Sequence, residues 1–108
     1  GRSVVGEVAV APPTITPQGD GINDEAAIGF TVFQVLEQAA VEVTVHRLDG
    51  HQVWRAPAVM AGAGRGQVRW GGRDNGGKLV APGIYLVRVE VGAEAGRQAG
   101  LRLVAVAY

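Results

Sequence analysis

The chain has 108 residues, of which 47% are hydrophobic and 19% are charged, so one folded domain is expected and the composition argues against disorder. Ten basic residues balance ten acidic residues, and the formal net charge of zero argues against nucleic acid as a partner, because that binding depends on an excess of basic residues. The absence of cysteine excludes disulfides, thiolate catalysis and thiolate metal sites.

Apolar residues alternate with polar residues along most of the chain, which predicts strands with one buried face. The clearest run has Val41, Val43 and Val45 separated by Glu42 and Thr44. The best helical candidate, residues 33–41, is short and flanked by valine, which favours strand. We predict seven strands, at about 3–11, 26–36, 40–48, 52–60, 66–70, 83–92 and 97–108.

Clusters of glycine, proline, asparagine and aspartate separate these strands and supply turn chemistry. Seven short strands at this spacing predict an all-β fold, a seven-stranded immunoglobulin-like or fibronectin-III-like β-sandwich, with a small barrel as the competing answer. Pro57 predicts that 52–60 is an edge strand. Tyr85 begins a late strand, where its side chain either bonds back to loop backbone or simply fills the core.

Four segments in this order carry a resemblance to a known family: "TPQGDGIND" at 16–24, "VEVTVHRLDGHQVWR" at 41–55, "WGGRDNGGKLVAPGIY" at 70–85, and a closing apolar strand. The chain resembles the immunoglobulin-like C-terminal modules of bacterial secreted and surface proteins. That family includes the domain of the flagellar hook-capping protein and related type IX secretion and gliding-associated modules. The chain departs from the family pattern at Gln18, His46, Arg47 and Gly71, and its last strand lacks the basic ending of one class of sorting tails.

The resemblance implies a β-sandwich, residues 1–108, appended to a larger exported protein, and it does not imply catalysis. The start at "GRSVVGEV" without Met predicts that the chain is excised from that longer protein. Its implied partners are the other domains of that parent protein, with a cell-surface or secretion component as a further candidate. Its implied location is extracellular, at the cell surface or periplasmic. No apolar stretch approaches the length of a membrane span, so membrane insertion is not expected.

The stretch "GDGIND" admits three interpretations, of which a phosphate loop is set aside because it lacks a lysine and a following helix. A calcium loop of the EF-hand type would place Thr16 and Ala27 where acidic ligands are needed. The metal interpretation that remains is a looser calcium site at Asp20, Asn23 and Asp24.

The favoured interpretation of the same stretch is a tight turn. In this interpretation Gly19 and Gly21 adopt positive φ, and the neighbouring acidic and amide side chains cap backbone N–H groups. No cofactor is then required.

The second cluster, "WGGRDNGG", contains Trp70 at the end of a strand, where it is expected to pack against the core. Arg73 is expected to pair with Asp74, Asp20 or Asp24 and so join two loops. The alternative is that Trp70 and Arg73 bind a ligand.

Catalytic residues are not expected. The hydroxyl candidates lie in no nucleophile motif: Ser3, Thr14, Thr16, Thr31 and Thr44. His46 and His51 flank a turn and could bind a metal with Asp49, although solvated turn histidines are favoured.

The alternative function is a carbohydrate-binding module of a secreted enzyme, which requires a row of exposed aromatic side chains. Phe30, Trp70 and Tyr85 lie on inward-facing positions of the predicted strands. Trp54 and Tyr108 are the one aromatic pair expected at the surface.

Overall fold

The computed structural model describes residues 5–17, 19, 21–32, 39–57, 59–61, 64–93 and 96–108. Over these residues the chain is all-β, with no helix. The strands are β1 (Val5–Ala11), β2 (Thr14–Ile15), β3 (Ala26–Val32), β4 (Ala39–Arg47), β5 (Gln52–Arg55), β6 (Val59–Ala61), β7 (Gly64–Trp70), β8 (Gly83–Ala93) and β9 (Gly96–Val106).

The strands form two sheets in a sandwich-like arrangement. One sheet has three strands in the order β1-β3-β7. The other has six, in the order β2-β9-β8-β4-β5, with β6 also paired to β4. All pairs are antiparallel except β2 with β9, where Thr14 lies opposite Ala105 and Ile15 opposite Val106. The predicted all-β sandwich is therefore present as two separate sheets.

The core follows from the predicted alternation. Across β4 and β8, valines lie opposite valines in three successive inward-facing pairs, and each of these side chains is at most 1% exposed: Val41 with Val91, Val43 with Val89 and Val45 with Val87. The facing sheet contributes Ile28, Phe30 and Val32 from β3, all at most 3% exposed. Burial of apolar surface between the two sheets is the main stabilising term of such a fold.

The predicted strand list is wrong in two places. Counted over the described residues, eight strands have three residues or more and β2 has two, rather than seven in all. The strand predicted at 52–60 is two strands, because Pro57 lies between β5 and β6 and cannot donate to a ladder. The sheet order confirms that this segment lies at an edge. Residues 33–38, which hold most of the helical candidate, lie outside the described residues.

The chain enters and leaves the sandwich at opposite ends. Val5 begins β1 opposite Val32, at the end where β3 finishes. Val106 ends β9 opposite Gly83, where β8 begins. β1 therefore starts at one end of the sandwich and β9 finishes at the other, in a molecule whose longest axis is 42 Å.

Gly66 provides a test of the packing. It lies opposite Phe30 in the β3–β7 pair, and a Cβ at Gly66 would come within 2.5 Å of the buried Phe30 ring. We expect Gly66→Ala to reduce the free energy of unfolding by about 1–3 kcal/mol, because the ring must move. Gly29→Ala is the matched control, since the nearest atom to its Cβ would be 4.0 Å away, and it should be neutral or stabilise by about 0.5–1 kcal/mol. Denaturant unfolding of both variants measures this, and equal losses would contradict it.

Candidate functional site

Three connecting segments that hold the sequence motifs meet at one end of the sandwich, called here the loop end. They are the opening loop (residues 16–24), the hairpin turn between β4 and β5 (residues 47–51) and the Trp70 loop (residues 71–82). The loop end is where β7 finishes opposite the start of β3, and where β8 begins opposite the finish of β4.

The opening loop is organised around the carboxylate of Asp24. Its Oδ1 accepts the backbone N–H of Gly19 at 3.1 Å and its Oδ2 accepts that of Gly21 at 2.7 Å. Gly19 and Gly21 have φ of 79° and 80°, the left-handed region that glycine adopts without steric cost. The two amides can therefore turn inward and converge on one carboxylate.

The backbone of the opening loop is closed by Thr16 and Asn23. The N–H of Thr16 donates to the carbonyl of Asn23 at 2.8 Å, and its Oγ1 donates to the carbonyl of Ile22 at 3.3 Å. Asn23 has φ of 54°, a left-handed conformation that asparagine tolerates better than most residues. Closure of this loop therefore depends on Asn23 through its backbone.

The calcium hypothesis remains a prediction, because Asp20 lies outside the described residues. The amide hydrogens on Asp24 present positive dipoles to both of its oxygens, which is the environment of a capping acid. Within the residues that the structure describes, no group of three or more His, Cys, Asp or Glu side chains could hold a metal ion. These contacts fit a turn better than they fit a cation site.

Trp70 is 1% exposed and lies at the centre of an aromatic cluster. Its ring centroid is 5.8 Å from that of Tyr85 in an edge-on arrangement and 6.4 Å from that of Trp54. Its indole N–H donates to the carbonyl of Arg73 at 2.9 Å. Trp70 therefore packs in the core and holds the start of the loop that follows it, and its burial removes it from any ligand surface.

Arg73 does not join the two loops by an ion pair with Asp24 or Asp74. Its Nη1 instead donates to the carbonyl of Gly77 at 2.8 Å, within its own loop. The expected pairing with these two acids is therefore wrong, because both carboxylates accept backbone amides of their own loops. The third expected partner, Asp20, is outside the described residues.

The carboxylate of Asp74 has the same role in the Trp70 loop as that of Asp24 in the opening loop. Its Oδ1 accepts the N–H groups of Gly76 and Lys78 at 2.9 and 3.0 Å. The backbone N–H of Asp74 donates to the carbonyl of Lys78 at 2.9 Å, and its carbonyl accepts the N–H of Gly77 at 3.0 Å. The turn is therefore closed by one acidic residue.

The opening loop and the Trp70 loop do meet, through apolar packing at Gly72. A Cβ on Gly72 would lie 2.9 Å from Cγ of Pro17 and 3.4 Å from Cδ1 of Ile15, and Gly72 has φ of 72°. Ile15 is fully buried. Only glycine fits here, because the φ is left-handed and a Cβ would be too close to Pro17.

Two tyrosine hydroxyls hold the Trp70 loop against the sheet. Tyr85 is 5% exposed and its hydroxyl donates to the carbonyl of Ala81 four residues earlier, so it both fills core and bonds loop backbone. Burial raises the pKa of Tyr85 above its ordinary value of 10.0, with Tyr108 adding to the effect. The hydroxyl of Tyr108 donates to the carbonyl of Val80.

The expected surface pair of Trp54 and Tyr108 does not form an aromatic platform. Trp54 is half-buried and packs against the core beside Trp70. Tyr108 is 51% exposed, with its hydroxyl bonded to the loop. A row of stacked, exposed aromatic rings, which a carbohydrate-binding face requires, is not built from these two residues.

In the hairpin turn the residues proposed as metal ligands make separate contacts. Asp49 Oδ1 accepts the N–H of His51 at 3.0 Å, and its Oδ2 lies 3.2 Å from Nη2 of Arg47. The hydrogen bond from the His51 amide is the main cause that lowers the pKa of Asp49 below its ordinary value of 3.8. Both ring nitrogens of His46 lie near other oxygens, so the histidines and Asp49 do not share a site.

A hydroxyl–imidazole pair that the sequence analysis missed lies on β4. Nε2 of His46 is 2.9 Å from Oγ1 of Thr44, and its Nδ1 is 3.3 Å from the carbonyl of Gly50. The signal was available, since residues two apart on a strand lie on the same face. Thr44 is only 7% exposed and faces Arg88 on the neighbouring strand, so the pair fits strand packing better than nucleophilic attack.

An open groove of about 870 Å³ lies between the hairpin turn and residues 78–85. Leu48, Leu79 and Ile84 line it and remain 65%, 37% and 47% exposed. Charged residues of both signs also line it: Arg47, Lys78, Asp49 and Asp74. The groove therefore suits apolar contact and has no single sign of charge to select an ion.

No family model matches the chain, and no curated protein matches it in sequence. Solved structures match its fold. Dimeric latent PorU from Porphyromonas gingivalis matches 98% of this chain and 10% of its own length, at 18% identity and a TM-score of 0.73. PorZ, an essential bacterial surface component of the type IX secretion system of the same organism, matches 94% of this chain and 11% of its own, at 23% identity and a TM-score of 0.57.

A third match is FlgD from P. aeruginosa, over 96% of this chain and 78% of FlgD, at 20% identity and a TM-score of 0.62. The chain spans about a tenth of the length of PorU and PorZ. At these identities the likeness concerns the fold. The matches do include the secretion and flagellar proteins whose family the sequence motifs resemble. Among the described residues there is no helix that could cross a membrane.

Asp24 provides a test of the opening loop. We expect Asp24→Ala to reduce the free energy of unfolding by about 1–2 kcal/mol, because two backbone amides lose their acceptor. Asp24→Asn retains one acceptor oxygen and should cost about half as much. Glu25→Ala is the control, since Glu25 makes only an exposed ion pair with Arg69 at 4.0 Å and should change stability by less than about 0.5 kcal/mol. Chemical denaturation compares the three variants. An Asp24→Ala variant with the unfolding free energy of the unmodified chain would contradict this account.

Calcium is tested separately by thermal unfolding of the unmodified chain in EDTA and in millimolar calcium chloride. We expect the same midpoint in both, because the oxygens of Asp24 already accept amide hydrogens. A ligand that binds only the native state must raise the midpoint. A calcium-dependent rise that Asp24→Asn abolishes would show that the loop holds the ion.

Proposed function

We propose that the chain is a non-catalytic, immunoglobulin-like β-sandwich module of an exported bacterial protein. It acts as a spacer or docking domain for its parent protein, outside the cell, at the cell surface or in the periplasm. The proposal rests on the family resemblance of the motifs and on the fold likeness to secretion, surface and flagellar proteins.

One observation carries the proposal: the carboxylates and tyrosine hydroxyls of the motifs are hydrogen-bonded to protein backbone. Asp24, Asp74 and Asp49 accept backbone amides, and Tyr85 and Tyr108 donate to backbone carbonyls. A catalytic site needs such groups free and converging on a substrate. Here these groups hold the loop backbone in place, and a rigid loop end requires such contacts.

The strand order favours the immunoglobulin-like type. A three-stranded sheet faces a larger one, and the start of the chain contributes β1 to the first sheet and β2 to the second. Tyr85 near the start of β8 bonds backbone four residues upstream, as in the tyrosine corner of such domains.

The placement of the first and last strands favours a spacer. Because the chain enters at one end and leaves at the loop end, a preceding and a following domain would be held apart along the long axis. Tension along the chain would also pull the parallel strands β2 and β9 past each other lengthwise. The hydrogen bonds from Ala105 to Pro13 at 2.9 Å and from Ala107 to Ile15 at 3.0 Å would then resist together.

Single-molecule force spectroscopy tests the spacer function. We expect a higher unfolding force when the module is pulled between its two ends than between the N-terminus and a cysteine introduced at Ala99. Ala99 is exposed and lies on β9 away from the loop end. Pulling from Ala99 therefore opens the hydrogen bonds of β9 one after another. The chain has no cysteine of its own, so the attachment point is unique. Equal forces in the two directions would contradict a role as a spacer under tension.

A further inference from the structure

The side-chain amide of Asn75 forms two hydrogen bonds with the backbone of Arg55, twenty residues earlier. Its Oδ1 accepts the Arg55 N–H at 2.8 Å, and its Nδ2 donates to the Arg55 carbonyl at 3.0 Å. In an antiparallel sheet, a hydrogen-bonded pair of residues exchanges the same two bonds. The carboxamide of Asn75 therefore occupies the place that a residue of a further strand would take.

The backbone groups of Arg55 are turned toward the free edge of the sheet. β5 is the last strand in its sheet order, and Arg55 lies opposite Thr44 of β4. The next residue, Ala56, donates its N–H to Val43 of β4 at 2.9 Å. Because successive residues of a strand direct their backbone groups to opposite sides, those of Arg55 face outward, where Asn75 meets them.

Other features of β5 also oppose pairing with another chain. The strand is only four residues long, and its register against β4 shifts between Val45 and His46, which leaves Val53 without an opposite residue. Pro57 follows shortly after the strand. Short length, bulges and proline are the usual means by which exposed sheet edges avoid intermolecular pairing. Asn75 adds to them by occupying the hydrogen-bonding groups directly.

We propose that the outer edge of β5 is a strand-addition surface that Asn75 keeps closed, and that the strand it accepts once Asn75 is removed is β5 of a second copy. A twofold antiparallel pairing of β5 with itself matches two edges of equal length and is self-complementary. The formal net charge of zero provides no long-range repulsion between copies, so protection must come from the edge itself.

Sedimentation velocity over a concentration series tests the proposal, with Asn75→Ala and Asp24→Ala as matched variants. Each variant removes one side chain that makes two hydrogen bonds to backbone, but only Asn75 covers β5. We expect Asn75→Ala to lower the dimer dissociation constant at least about tenfold relative to the unmodified chain. Asp24→Ala should sediment as the unmodified chain does. A monomeric Asn75→Ala, or equal association of both variants, would overturn the proposal.

Two further measurements locate the interface and do not depend on the stability of one variant. Adding Gln52→Lys to Asn75→Ala places a charge on the same exposed edge and should restore the dissociation constant of the unmodified chain. Amide hydrogen exchange on the unmodified chain should show the Arg55 N–H protected, although it lies on an outer edge. A dimer unaffected by Gln52→Lys, or an Arg55 amide that exchanges as freely as an exposed loop amide, would contradict the closed edge.

Discussion

The packing of Trp70 connects the two sheets with the loop that follows β7. Its ring belongs to the three-stranded sheet but touches Tyr85 and Trp54 of the six-stranded sheet, and its N–H binds the carbonyl of Arg73. One side chain therefore links both sheets and the loop that leaves β7. Because a buried indole must find a hydrogen-bond partner, the core also determines the path of the backbone just beyond it.

The loop end is then held by side chains whose polar atoms bond loop backbone. Asp24 and Asp74 each accept two amides, while Tyr85 and Tyr108 bind carbonyls of the Trp70 loop. Each bond is modest on its own, about 0.5–1.5 kcal/mol, but together they replace the ladders that loops lack. The result is an irregular surface whose loop backbone is held in place by side-chain hydrogen bonds.

The sequence predicted the features that depend on local pattern. Alternating valines in β4 and β8 predicted the buried faces, and glycines beside Asp24 predicted a tight turn. Two features that it missed depend on contacts distant in the sequence. β2 has two residues and pairs with β9, and the bonds of Asn75 reach back twenty residues to Arg55. Two others have local causes. The guanidinium of Arg73 bonds a carbonyl within its own loop rather than the acids that charge alone suggested. Pro57 was recognised as an edge signal, yet its lack of an N–H breaks the strand in two.

The parallel pairing of β2 with β9 also affects when the domain can fold. Thr14 and Ala105 lie about ninety residues apart in the chain, so their contact closes a loop that contains nearly the whole domain. The entropy cost of closing this loop must be overcome before the pairing can stabilise the fold, so such contacts form slowly. During synthesis from the N-terminus, β2 has no neighbour until the last strand emerges. The pairing of β2 with β9 therefore completes the six-stranded sheet only after β9 has been synthesised.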